Sequence, residues 1–384
     1  MERPAQTKTQ HYARAVLSHI HEYISGQGFF FTKQDIANFY LSLKTKPFVI
    51  LAGISGTGKT QLARQFAAAI GCKDNCTLIP VRPDWTDPSD LLGYRDISGK
   101  FRGQALFSAI IKAHQHPEEI FFVILDEMNL ARVEHYLSDF LSIMETREKA
   151  GERVTTDPIL TADMLDENLA GLPTGFPDNL YLIGTVNMDE TTHPFSRKVL
   201  DRANSIEMNE VHLDWPAADE GIEPMDDVFN DFLISTYVQP RDVNEDEKQR
   251  MRGTLQFLTE VNEILKKADL QFGYRVRDEI AFYMLNRYEI RELVSEQEAL
   301  DIQVMQKILP RIHGSSRRVG MVLYELIRKF APAHVDLPSG LYAAEIAEKL
   351  GDPRRKGYKF PRTLEKLMLM FRRYEEDGFT SFWM

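Results

Sequence analysis

The chain has 384 residues, 43% apolar and 27% charged, a length and composition that suit a globular protein of roughly two or three domains and exclude a disordered or fibrous chain. A formal net charge of −11 excludes a general polyanion binder, while leaving room for a local basic patch. Cys72 and Cys76 are the two cysteines; they cannot build a disulfide scaffold, and C-x3-C without a second Cys/His pair is a poor zinc site, so both read as plain thiols.

The first residues, MERPAQTKTQHYARAV, lack the apolar centre of a signal peptide, and no run approaches the ~18 apolar residues of a membrane span. The expectation is a cytoplasmic protein with no membrane contact. Tyr12, Val16, Ile20 and Ile24 recur at i+4 steps, which predicts a helical N-terminal segment over 1–44. Phe48-Val49-Ile50-Leu51 is a short continuous apolar run, the pattern of a buried parallel strand. Immediately after it, Gly53-Ile54-Ser55-Gly56-Thr57-Gly58-Lys59-Thr60 fits G-x-x-x-x-G-K-[ST], the P-loop. Glycines let backbone N–H groups turn inward and approach phosphate oxygens with no Cβ in the way. The helix that follows presents its positive end to the same phosphates. Lys59 supplies a point charge for the β- and γ-phosphates, and the Thr60 hydroxyl suits a magnesium ion; Gln61 completes the set of nucleotide-contacting candidates. Leu62, Phe66 and Ile70 mark one face of the expected helix.

The stretch IFFVILDEMNLARVE, 120–134, is a buried strand ending in two carboxylates. Such a pair is costly without a partner. Asp126 is expected to hold the magnesium shell and Glu127 to activate water as a general base; a helix N-cap is the plainer reading of an Asp there. Residues 147–178 form a polar insert with three Gly and three Pro, expected to be a hairpin or loop excursion. Leu180–Val186 reads as another buried strand, with Asn187 at its C-terminal end, where open α/β sheets bind ligands; its amide can orient water. Pro194 to Ala203 reads as a helix carrying Arg197, Lys198 and Arg202, and an arginine there can reach a neighbouring subunit's γ-phosphate. Residues 214–248 hold eleven Asp/Glu against two Lys/Arg, which predicts a solvated, partly flexible connection. Beyond it, Leu258, Val261 and Leu265 mark an amphipathic helix, and 249–384 is expected to be helical. In its tail, Arg354, Arg355, Lys356, Lys359 and Arg362 alternate with Tyr358 and Phe360, either a nucleic-acid patch or the lead into a packed helix at Leu364, Leu367, Met368 and Phe371.

Together these blocks resemble the AAA+ NTPases, and within them the McrB-type motor subunit of modification-dependent restriction systems. Gly53–Thr60 resembles Walker A, Leu125-Asp126-Glu127-Met128-Asn129 resembles Walker B extended by an Asn, and Val186-Asn187-Met188-Asp189 resembles sensor 1. The stretch ending Leu200-Asp201-Arg202 resembles the helix of the arginine finger. VRPDWTDPSDLLGY (81–94), GKFRGQALFSAI (99–110) and KILPRIHG (307–314) are similar to segments of the same group. The resemblance spans roughly residues 45–315. It implies an α/β P-loop AAA+ core with a parallel sheet at 45–213, a short helical N-terminal segment and a C-terminal helical lid. It implies ATP or GTP with Mg²⁺ as ligands, Glu127 and Asn187 as catalytic residues, Arg202 and then Arg197 as the finger, and Arg275, or Arg277, as sensor 2. It also implies a homo-hexameric ring, an McrC-like nuclease subunit as partner and DNA engaged through the complex. The sequence departs from the family after Asn187, where Asp189-Glu190-Thr191-Thr192-His193 stands in place of an arginine and a serine. About 45 residues precede the first strand, so the expectation is a motor without a separate DNA-reading domain. A MoxR- or midasin-like ATPase remodelling protein complexes is the alternative, and a nucleotide-gated scaffold or sensor with little turnover is the second.

Overall fold

A computed structural model describes residues 4–162, 164, 165, 167–188, 193–211, 213 and 221–383. The chain divides into two compact units, Met1–Asp242 and Val243–Met384.

The first unit is built on a five-stranded parallel sheet. Its strands are β1 (Phe48–Gly53), β2 (Cys76–Pro80), β3 (Phe121–Asp126), β4 (Leu180–Asn187) and β5 (Asn204–Glu207), in the spatial order β2-β3-β4-β1-β5. The apolar runs read from the sequence are the three central strands. They are covered on both faces, which is why they show no alternation. The register sets Gly53 beside Asn187 and Pro80 beside Asp126, so the C-terminal ends of β1, β3 and β4 meet at one edge of the sheet.

Helix α1 (Pro4–Gly26) and helix α2 (Lys33–Thr45) precede β1. Thr32 starts α2 with a reciprocal capping box to Asp35. Val16, Ile20 and Ile24 are buried as the i+4 spacing predicts, whereas Tyr12 is exposed and meets Phe232 edge-on. Helix α3 (Lys59–Ala69) follows the P-loop and buries Leu62 and Phe66. The Phe66 ring packs edge-on against Phe39 and Phe122, tying α2, α3 and β3 into one core; fully burying such a ring contributes about 1.5–3 kcal/mol. Cys72 and Cys76 are free. Burial pushes their thiols up to about 12 and about 11, so both are inert at neutral pH.

Two expectations need correction. The helix over Pro194–Ala203 shrinks to the single turn Arg197–Leu200. The chain has to enter β5 at Asn204, whose buried amide donates to Ser42 O at 3.0 Å, and no room is left for a second turn. The acidic stretch is not a loose connection over its described residues 221–242. Val228, Phe232 and Leu233 are buried, and Phe232 stacks on Tyr40 at 4.7 Å. The Tyr181 hydroxyl donates to Asn230 Oδ1, Lys44 Nζ to Phe232 O and Arg147 to Ser235 Oγ. Residues 214–220 lie outside the described set. The polar insert carries an antiparallel hairpin, Glu148–Ala150 with Arg153–Thr155.

The second unit is helical. Helix α4 (Glu245–Lys266) opens on a capping box between Asn244 and Glu247 and buries Leu258, Val261 and Leu265. Helices α5 (Tyr274–Asn286), α6 (Arg317–Phe330) and α7 (Pro361–Asp377) complete its frame. Of the basic and aromatic tail, Phe360 enters this core and stacks on Phe257, while Arg354, Arg355, Lys356 and Lys359 stay exposed, Arg354 and Arg355 pairing with Glu365 and Asp352. The helix that follows is packed, with Leu364, Leu367 and Phe371 inside and Met370 in place of the half-buried Met368. Among the described residues no helix is long and apolar enough to cross a membrane.

Candidate nucleotide-binding and hydrolysis site

The P-loop joins β1 to α3 at the sheet edge where the strand ends converge. Two of its glycines are required by geometry. A Cβ on Gly53 would sit 2.3 Å from Met208 O. Gly58 caps α3 at φ +84°, in the left-handed region, and the Phe31 ring approaches to 3.2 Å of where its Cβ would be. Ser55 and Gly56 are exposed at the crest, and the Thr57 hydroxyl donates to Ile54 O at 3.0 Å. Gln61 lies in the first turn of α3, accepting from Gln65 Nε2. Asn209 holds the loop from outside by accepting the Ile54 N–H at 3.1 Å.

Lys59 is buried at the base of the loop, its ammonium donating to Gly53 O at 3.0 Å and Ile54 O at 2.6 Å. Burial pulls its pKa below the ordinary lysine range, and the charges of Asp126 and Glu127 pull it back. The Thr60 hydroxyl donates to Asp126 Oδ1 at 2.8 Å, so the loop and the end of β3 are one constellation. Asp126 ends the strand without capping a helix.

Glu127 is in the left-handed region, at φ 54° and ψ 47°, a placement that costs a non-glycine residue about 1–3 kcal/mol and recurs at functional sites. Its N–H donates to Thr185 Oγ1 at 3.1 Å, and Thr185 Oγ1 donates to Asp126 Oδ1 at 2.7 Å. The Asn187 side-chain amide donates to Glu127 Oε1 at 2.9 Å. Asn129, buried below, donates to Asn187 O at 3.0 Å. Thr185 and Asn209 escaped the sequence reading, and Asn129 entered it only as the Asn that extends the Walker B-like stretch. Thr185 looks like any β-branched strand residue.

These residues fit a magnesium–nucleotide complex. A hydroxyl and a carboxylate are the hard oxygen donors magnesium takes, and magnesium draws its other ligands from phosphate and water. Eleven-residue α3 aims its N-terminus at the loop, where anions bind favourably.

The remaining candidates lie elsewhere. Arg197 is exposed. Arg202 is mostly buried, paired with Glu145 and donating to Lys198 O. Arg275 is in the first turn of α5, in the second unit. Nearby, Arg277 pairs with Asp278 and lies over the Tyr274 ring. The post-Asn187 residues 189–192 lie outside the described set.

Residues 48–203 match the AAA domain, dynein-related subfamily, and residues 224–379 match a domain of unknown function, DUF8727. The chain is 24% identical over 252 residues to the EcoKMcrB subunit of a type IV methyl-directed restriction enzyme from Escherichia coli (strain K12), an alignment covering 64% of this chain and 50% of that protein. The match thus spans about half the length of that relative. A Cytophaga hutchinsonii protein described as an ATPase superposes with TM-score 0.45 at 14% identity, over 80% of this chain and 89% of its own. A full-length MCM homolog from Methanopyrus kandleri gives 0.41 at 11%, over 79% and 60%. At these scores neither structure bears on the assignment.

Proposed function

We propose, from the match of residues 48–203 to the AAA domain of the dynein-related subfamily, that this protein is a Mg²⁺-dependent nucleoside triphosphatase working as a ring motor of the McrB type. The observation that carries the reading is the Thr60 hydroxyl seated on Asp126 at 2.8 Å, which joins the phosphate-binding loop to the paired carboxylates.

Thr60 and Asp126 would hold the magnesium ion, which supplies charge neutralisation for the phosphates. Lys59 and the loop amides bind the β- and γ-phosphates. Asn187 orients a water and Glu127 takes its proton; the water oxygen bonds to the γ-phosphorus as the bond to the β–γ bridging oxygen breaks, releasing nucleoside diphosphate and phosphate. Arg202 or Arg197 acts on the site of a neighbouring copy, most simply in a homo-hexamer. Arg197 is exposed and ready for that task; Arg202 has to exchange Glu145 for phosphate. The similarity to the EcoKMcrB subunit supports a role in defence against foreign DNA, with an McrC-like nuclease as partner and DNA engaged through the complex.

The test is steady-state phosphate release from the purified chain with Mg²⁺ and ATP or GTP, each with and without DNA. A GTP preference supports the McrB type. ATP turnover indifferent to DNA and raised by a protein client moves the assignment to MoxR- or midasin-like remodelling. Nucleotide binding with negligible turnover would leave a scaffold or sensor.

The finger is tested by Arg202→Ala and Arg197→Ala. The residue that acts across the boundary should lose about 10³-fold in turnover with the affinity of the isolated chain for nucleotide unchanged. Mixing that variant with Glu127→Gln protein should restore part of the activity, because each supplies what the other lacks. No restoration at any ratio would remove the trans-acting role.

A further inference from the structure

We propose that Thr185, a strand residue with no assigned role, is the positioning residue of the hydrolysis site, holding Asp126 and Glu127 in register with each other; the proposal rests on the hydrolase reading above.

Thr185 is 2% exposed and lies on β4, between Gly184 and Val186. A hydroxyl has one proton to give and lone pairs to accept with. Here the proton goes to Asp126 Oδ1 at 2.7 Å, and a lone pair accepts the Glu127 N–H at 3.1 Å. Asp126 Oδ1 accepts from Thr60 as well, so one carboxylate oxygen joins the P-loop to β4 and Thr185 passes that tie on to the backbone of Glu127.

The next residue is anchored on the same strand. Met128 is fully buried over Gly184, where a Cβ would collide with its sulfur at 1.9 Å, and Met128 O accepts from the Tyr136 hydroxyl at 2.7 Å. Glu127 is thereby fixed on both sides of its left-handed bend. Two residues beyond Thr185, on the same face of the strand, Asn187 donates to Glu127 Oε1. One strand thus sets the Glu127 main chain through Thr185 and its carboxylate through Asn187.

Thr185→Val keeps the shape and deletes the hydroxyl, leaving the Glu127 N–H without its acceptor and Asp126 Oδ1 with the Thr60 bond alone. A misplacement near 1 Å costs on the order of 10²-fold in rate. The full chain, wild type and Thr185→Val and Thr185→Ser, is compared in three measurements: kcat and KM for phosphate release, the Kd of a non-hydrolysable triphosphate analogue, and amide hydrogen exchange in the peptide spanning 124–131.

The expected result for Val is a kcat lower by roughly 10- to 100-fold, a Kd within about threefold of wild type, and faster exchange in that peptide. Ser, which restores the hydroxyl, should return all three toward wild type. Wild-type turnover or wild-type exchange in Val would overturn the proposal, as would a loss that Ser fails to restore. If Val does not fold, Thr185→Ala against Thr185→Ser gives the same comparison. If wild type itself shows no turnover, the hydrolase reading falls, and the exchange data still decide whether Thr185 holds Glu127.

Discussion

Glu127→Gln should bind nucleotide as wild type does and turn over about 10²–10⁴-fold more slowly, the range a positioned general base contributes. The substitution is isosteric. Its amide oxygen can still accept the Asn187 N–H that now reaches Glu127 Oε1 at 2.9 Å, and the backbone bond to Thr185 is untouched. What disappears is basicity toward water. Single-turnover phosphate release beside equilibrium nucleotide binding separates the two effects. Near-wild-type hydrolysis would remove Glu127 from the base role.

Lys59→Ala should act on the other quantity. The ammonium is a buried cation at the base of the loop, and its two carbonyl bonds place it under the crest formed by Ser55 and Gly56. Hydrogen bonds to charged groups contribute about 1.5–3 kcal/mol each, so losing two to phosphate costs about 3–6 kcal/mol, at least a hundredfold in affinity. Isothermal titration with ATP and with GTP measures this. Retained affinity in a folded Lys59→Ala protein would overturn the P-loop assignment.

The site was legible where its chemistry is local in sequence. Gly53–Thr60 is a contiguous stretch that carries its glycines, lysine and threonine at one fixed spacing, and Asp126 and Asn187 stand where apolar strands end. Strand ends in a parallel sheet meet at one edge, and the register brings Gly53 beside Asn187. Thr185 was not legible because a threonine inside LYLIGTV looks like ordinary strand filling; its role depends on β4 lying beside β3, a pairing that no local pattern states. Asn209 was hidden for the same reason, since its bond to Ile54 exists only because β5 lies beside β1. The 194–203 helix was over-read because basic residues at helical spacing say nothing of where the next strand must begin. The stretch 221–242 was misjudged because its acids dominate the composition, while Val228, Phe232 and Leu233 are what the core takes.

That last stretch changes where the α/β half of the chain ends. A fragment stopping at 213, where the strand pattern runs out, would strip Phe232 from Tyr40 and Asn230 from Tyr181, exposing one flank of the sheet. A fragment running to Asp242 keeps them. The second matched family begins at 224, upstream of that point, so a border between sequence modules falls inside a folding module. Grafting the C-terminal family onto another α/β unit at residue 224 would deliver a foreign strap to a surface shaped for this one. A junction at 242–243 divides the chain where its own packing does.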